Sequence, residues 1–207
     1  YLPTPGKGRI IRIFFFFFDN NALLFKQGQD NVLQPYLERG DIQVLHADWA
    51  DNWSPAKAKN ITNAAITQAG TDFDAILVTN DGCAGGAIQA LKEEGLAKKV
   101  LVTGQDADLV ACQRIAMGLQ DMTIYKPIRK LATRAAETAV RMAQGKPVIA
   151  PAAVNNQKTD VPSILLDVVS VSKENLVETV IADGFHTFEA VYQNVPLNER
   201  PEAPPVH

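Results

Sequence analysis

Apolar and polar positions follow two rhythms along this chain: continuous apolar runs, and stripes that recur at helical spacing. Ile10 to Phe18, "IIRIFFFFF", is apolar at nearly every position and reads as a strand buried on both faces. Phe25, Val32, Leu33, Tyr36 and Leu37 form a looser stripe that predicts a helix over 25–37. "DIQVLHADW" repeats the strand signal, and Ala58, Ile61, Ala65 and Ile66 share one face of a helix over 55–69. "FDAILVTND" and "GGAIQALKEEGL", closed by Gly95, form the next strand and helix. "KVLVTGQD" and "ADLVACQRIAMG", closed by Gly118, form another pair. "DMTIYKP" gives a fifth strand. A helix from Ile128 to Gln144 follows, with Pro127 suited to its first turn and Gly145 to its C-terminal cap. Apolar strands separated by amphipathic helices predict parallel βαβ units and an α/β layered fold.

After Gly145 the rhythm breaks. "KPVIAPAAVNNQKTDVP" reads as a loop with a short strand. "SILLDVVSVSKENLVETVI" reads as a strand, then a short helix starting near Ser172. "NVPLNERPEAPPVH" carries four prolines and reads as a loose tail.

Composition removes several classes of function. The 207 residues are 46% hydrophobic and 21% charged, an ordinary globular balance. A net charge of -3 argues against a nucleic-acid-binding face, which needs clustered Lys and Arg. No apolar stretch approaches the roughly 20 residues of a membrane span, so no membrane insertion is expected. The opening "YLPTPGKGR" lacks the apolar segment of a signal peptide. Cys83 and Cys112 do not make a disulfide framework; free, buried thiols are expected. His46, His186 and His207 lie far apart, without ligands at metal-binding spacing, so no metal is expected. "PGKGR" precedes a strand and lacks the spacing of a phosphate loop, and no G-x-G-x-x-G follows any strand. No cofactor is implied.

The strand ends carry the candidate chemistry. "RIFFFFF" stops on Asp19-Asn20-Asn21, "AILVT" on Asn80-Asp81-Gly82, "VLVTG" on Gln105-Asp106 and "MTIY" on Lys126. "QVLHAD" ends on Trp49, with Trp53 four residues later. The carboxyl edge of an open parallel sheet is where ligands bind. For any one strand, helix capping by Asp or Asn explains the same residues. Capping does not call for a Lys and two Trp at the same edge, so the five strands together favour a shared site. Amides, carboxylates and a cation match hydroxyls as paired donors and acceptors, and an indole offers a flat apolar face to C–H groups. The set suits a neutral polyol. Asp19, Asp81, Asp106 and Asp108 could instead supply paired carboxylates for glycoside hydrolysis. With no Ser or Cys nucleophile in relation to a His, a non-enzymatic binding role is expected.

"TNDGCAGGAIQAL", "VTGQDADL" and "MTIYKP", in this order and spacing, resemble the xylose-binding proteins of bacterial ABC transporters, within the type I, ribose-binding-like periplasmic sugar-binding superfamily. "DNNALLFKQGQDNVLQPYLERGDIQV", "DWADNW", "DVPSILL" and "VIADGFH" extend the resemblance over Asp19 to His186. It implies a parallel-sheet, three-layer lobe of a two-lobe fold that closes on a monosaccharide, D-xylose first among them. It places Asn21, Trp53, Asn80, Asp106 and Lys126 on sugar-contacting positions, with Asp19 from the same turn, and makes Trp49 structural. It also implies a periplasmic or extracellular setting and an ABC transporter permease as partner. The same fold serves as the effector domain of cytosolic repressors and of sensor kinases, which is the alternative function.

By the same resemblance, residues 1–124 form the second lobe and 125–162 belong to a first lobe that is otherwise missing. Residues 163–186 return to the second lobe through the hinge, and 187–207 are a Pro-rich tail. The sequence would then begin just after the first crossing between lobes. The stripe Ile128, Leu131, Ala132, Ala135, Ala139 and Met142 would face nothing, unless the first lobe or another chain supplied the surface. The phenylalanine run stands where the resemblance implies a small-residue turn, so either Phe17 and Phe18 crowd the pocket or the run is not genuine.

Overall fold

Strand β1 (Gly8–Phe15) lies at the centre of the main sheet in the computed structural model, which describes residues 7–15 and 18–204. It pairs with β2 (Ile42–Ala50) on one side and β3 (Ala75–Val78) on the other, and β4 (Leu101–Val102) adds to β3. All three pairings are parallel. Parallel neighbours require a crossover. Helices α1 (Asn20–Glu38), α2 (Pro55–Ala69) and α3 (Asp81–Glu93) supply the crossovers. Helix α4 (Leu109–Ala116) leads on to β5 (Met122–Tyr125).

The chain divides into two compact units, one of residues 1–125 and 170–207, the other of residues 126–169. The second unit consists of α5 (Ile128–Ala143) and an antiparallel hairpin, β6 (Ala152–Asn155) and β7 (Asp160–Ser163). The chain re-enters the first unit through β8 (Val169–Ser172), which pairs with β5. A π-helical turn at Val177–Ile181 and helix α6 (Phe188–Tyr192) follow.

Alternate residues of β1 build two cores, which makes the first unit a three-layer α/β lobe. Ile11, Ile13 and Phe15 are fully buried with Ala58, Ile61 and Ala65 of α2 and Ala84, Ala87, Ile88 and Leu91 of α3. Ile10 packs on the opposite face with Ile42, Ala75 and the α1 residues Leu33, Tyr36 and Leu37. Helices α2 and α3 approach closely because position 86 is glycine: a Cβ there would lie 2.0 Å from the Pro55 carbonyl oxygen. Arg12, also on the α1 side, is buried; its guanidinium pairs with Asp30 at 2.7 Å and lies over the Phe14 ring. Beyond α1, Leu77, Thr103, Met122 and Ile124 line an open groove of about 330 Å³.

Several boundaries differ from the sequence expectation. The first strand is described up to Phe15, and Phe18, expected within it, sits in a turn, 74% exposed; residues 16 and 17 lie outside the described residues. Helix α1 starts at Asn20 rather than Phe25 because Asp19 caps it, accepting the Asn21 N–H at 2.8 Å. The segment expected to be a loose tail, residues 194–207, is held to the fold over its described part, behind helix α6. Val191, Tyr192 and Val195 are buried, and Arg200 donates to the Val195 carbonyl at 2.8 Å. Apolar side chains at helical spacing outweigh the prolines there. The glycines of "PGKGR" fall on both sides of the first described residue, so that stretch is only partly seen.

Both cysteines are free and buried, as expected. Burial pushes each thiol up to about 12. Thiolates are the reactive form, so native protein at pH 8 should resist iodoacetamide. Both thiols should alkylate on unfolding in urea, and rapid labelling of the native chain, read by mass spectrometry, would contradict the packing described.

Candidate functional site

Parallel strands end at one edge, here in the spatial order β2, β1, β3, β4. Trp53 lies in the turn after β2, Asp19 and Asn21 follow β1, Asn80 follows β3, and Asp106 follows β4. The structure therefore brings these five to the carboxyl edge of one sheet. Lys126 follows β5 directly in the chain and is the first residue of the second unit.

Capping accounts for part of this set. Asn80 is the N-cap of α3, its Oδ1 accepting the Cys83 N–H at 2.9 Å, as Asp19 caps α1. A cap uses one oxygen; a carboxylate and a carboxamide each keep further hydrogen-bonding positions. Asn21 is exposed, and Asp19, Trp53, Asn80 and Asp106 are half-buried. Asp106 is not a cap: the N-cap of α4 is Asp108, whose side chain makes no capping bond.

Backbone strain concentrates at the same edge. Of six described non-glycine residues with left-handed φ, four are Asn52 (57°), Trp53 (54°), Asp106 (102°) and Ala107 (54°). Such residues cost on the order of 1–3 kcal/mol each, and they cluster where function needs a fixed geometry. Here the holding interactions are visible. The Asp106 N–H donates to the Ile124 carbonyl at 2.9 Å. The Ala107 N–H donates to Thr123 Oγ1 at 3.1 Å, and His186 Nε2 lies 2.7 Å from the Ala107 carbonyl oxygen. Trp53 stacks on Phe15, ring centroids 4.1 Å apart and planes 20° apart. Trp49 packs against Phe14 at 5.2 Å.

Asp81 has a different environment from its neighbour Asn80. It is 0% exposed. Burial pushes its carboxyl up to about 6, against hydrogen bonds from Gln120, Thr123 and the Asp108 N–H that pull it down. A sealed carboxylate cannot meet a glycoside, so Asp81 leaves the set of paired-acid candidates. Sequence reasoning missed Thr123 and His186, which hold the Asp106 turn without being part of any polar strand end. No group of His, Cys, Asp and Glu able to hold a metal exists among the described residues. No described helix is long and apolar enough to cross a membrane.

A parallel sheet with helices on both faces and a strained, polar carboxyl edge is an open α/β lobe, an architecture in which ligands bind at that edge. The match to known proteins narrows the class. Residues 4–147 match the periplasmic binding protein domain, and the chain belongs to that family. It is 49% identical over 174 residues to the D-xylose-binding periplasmic protein of Haemophilus influenzae, covering 84% of this chain and 52% of that protein. The D-xylose-binding periplasmic protein of Escherichia coli K12 is 49% identical over 168 residues, covering 81% and 51% respectively. The chain thus spans about half the length of the curated relatives it matches. The carbohydrate transporter solute-binding protein of Chloroflexus aurantiacus, solved with D-glucose, superposes with a TM-score of 0.80 at 28% identity. That alignment covers 89% of this chain and 62% of that structure. The fold is the type I periplasmic binding fold, and the relatives named are substrate-binding proteins rather than enzymes.

The raised Asp81 carboxyl gives a signed pH effect. Its contribution to stability is complete below the unfolded-state value of 3.8 and is lost as pH rises through about 6. The stability of the parent relative to Asp81→Asn should therefore fall between these values and then level off. Urea denaturation at several pH values checks this; a stability difference that rises across the window would contradict it.

Proposed function

We propose that this chain is the second lobe of a non-enzymatic, periplasmic sugar-binding protein that captures a monosaccharide, D-xylose first among candidates, for an ABC importer. The observation that carries the reading is the single edge shared by Asp19, Asn21, Trp53, Asn80 and Asp106, on a chain 49% identical to D-xylose-binding relatives. In this reading Asn21, Asn80 and Asp106 bond to sugar hydroxyls, Trp53 packs on the ring's C–H groups, and Asp19 supports the turn. Lys126, at the start of the crossing segment, supplies a cationic donor. Closure of two lobes on the sugar would shift the population toward a closed state competent for a transporter permease.

The second unit supports a partner lobe. Helix α5 has no buried residue, and Ile128, Leu131 and Met142 are more than half exposed. Leu131, Ala135, Ala139 and Met142 line an apolar groove of about 820 Å³ with Val148 and Ile164. A helix of this length is marginal without packing. We infer that a first lobe covers this groove and supplies the other half of the sugar contacts.

With a complete partner lobe, Asp106→Ala should weaken xylose binding by about 1.5–3 kcal/mol, the scale of a hydrogen bond to a charged group. Unchanged affinity by titration calorimetry would remove Asp106 from the site.

The 207-residue chain alone should behave differently from the complete protein. If the complete protein binds near the micromolar level, about -8 kcal/mol, half the contacts leave millimolar binding or none. The chain should also self-associate through the α5 groove. Calorimetry with xylose and light scattering test both points. A monodisperse monomer with micromolar affinity would show that no first lobe is needed.

A further inference from the structure

Three donors converge on the Asp81 side chain inside the protein. Gln120 Nε2 donates to Oδ1 at 2.8 Å, and the Thr123 hydroxyl and the Asp108 N–H each donate to Oδ2 at 2.9 Å. Gln120 cannot reverse its amide, because its Oε1 accepts from Arg114 Nε at 2.9 Å and its Nε2 also donates to the Met122 carbonyl at 3.1 Å. A backbone N–H has no other role to take. A carboxyl side chain offers acceptor lone pairs to all three on its two oxygens, whereas an amide in its place would turn an N–H₂ toward one of the donors. Arg114 supplies compensating charge, its Nη2 donating to the Asp81 carbonyl at 2.6 Å. Glycine at 104 makes room for the cluster: a Cβ there would fall 2.1 Å from Asp81 Oδ1.

The cluster reaches the edge through Thr123. Its hydroxyl proton is committed to Asp81, so its lone pairs face outward, and one of them receives the Ala107 N–H at 3.1 Å. Asp81 meanwhile holds the Asp108 N–H directly. The left-handed pair Asp106 and Ala107 is thus pinned on its C-terminal side by one buried carboxylate acting along two paths.

We propose that Asp81 is a positioning residue, which through Thr123 and the Asp108 N–H fixes the strained turn that sets the Asp106 carboxylate at the sheet edge. Its consequence for ligand affinity rests on the sugar-binding reading; its consequence for the turn does not.

The test uses the ¹⁵N-labelled 207-residue chain as parent, Asp81→Asn, Thr123→Val and Thr123→Ser. Asp81→Asn keeps the shape but turns an N–H₂ toward donors. Thr123→Val removes the hydroxyl at nearly constant volume, and Thr123→Ser restores it. Without sugar, Asp81→Asn and Thr123→Val should lose hydrogen-exchange protection at the Ala107 and Asp108 amides while Ile76 and Val78 stay protected. Thr123→Ser should regain it. In a millimolar xylose titration read by amide shifts, the first two variants should bind about tenfold more weakly, the scale of one lost charge-assisted hydrogen bond. Thr123→Ser should approach the parent. Parent-like protection and affinity in Asp81→Asn and Thr123→Val would overturn the proposal. So would equal loss of protection at Ile76 and Val78, which would mark a general core role, or failure of Thr123→Ser to recover. A parent with no response to xylose is the non-binding outcome expected of a lobe without its partner, and the exchange comparison then decides by itself whether Asp81 positions the turn.

Discussion

Parallel pairing is the constraint on which the rest of this lobe depends. Once β1 is flanked by β2 and β3 in the same direction, each return must cross the sheet, and every strand must finish at the same edge. That requirement puts helices on the sheet faces and gathers loops far apart in sequence. Trp53, the Asp19–Asn21 turn, Asn80 and Asp106 follow one another in strand order for that reason. At Gly86 the backbones of α2 and α3 come too close for any side chain, so the helical layer on that face is tightly packed.

Structural and binding roles at this edge are served by the same residues. Asp19 and Asn80 start helices with one oxygen each. Phe15 belongs to the core and is also the floor on which the Trp53 ring rests. A left-handed turn at Asp106 would relax in isolation; here β5 and His186 hold it from both sides. A pre-organised site loses less side-chain freedom when a ligand arrives, which gives the cost of that strain a physical return.

Much of the layered fold was legible because continuous apolar runs and helical stripes differ so plainly, as "AILV" differs from "GGAIQALKEEGL". The errors have specific causes. The phenylalanine run has no polar residue to mark where β1 stops, so the expected strand takes in Phe18, which sits in a turn. The prolines near the end of the chain hid Val191, Tyr192 and Val195, whose spacing anchors α6. The candidate site was legible as polar strand ends, but its supports were not. Asn80 and Asp81 are adjacent letters of like chemistry, yet one is half-buried at the edge and the other sealed. Nothing in "GQDADL" announces a positive φ at two non-glycine residues.

The indoles add an optical consequence. The chain has two tryptophans, and both lie at the end of β2, against Phe14 and Phe15. Ultraviolet emission excited in indole therefore originates from a single corner of the molecule. Its wavelength reports the local solvent at the carboxyl edge. One exchange of indole for another ring at either position would assign the signal, giving this lobe a built-in, label-free monitor of events at its rim.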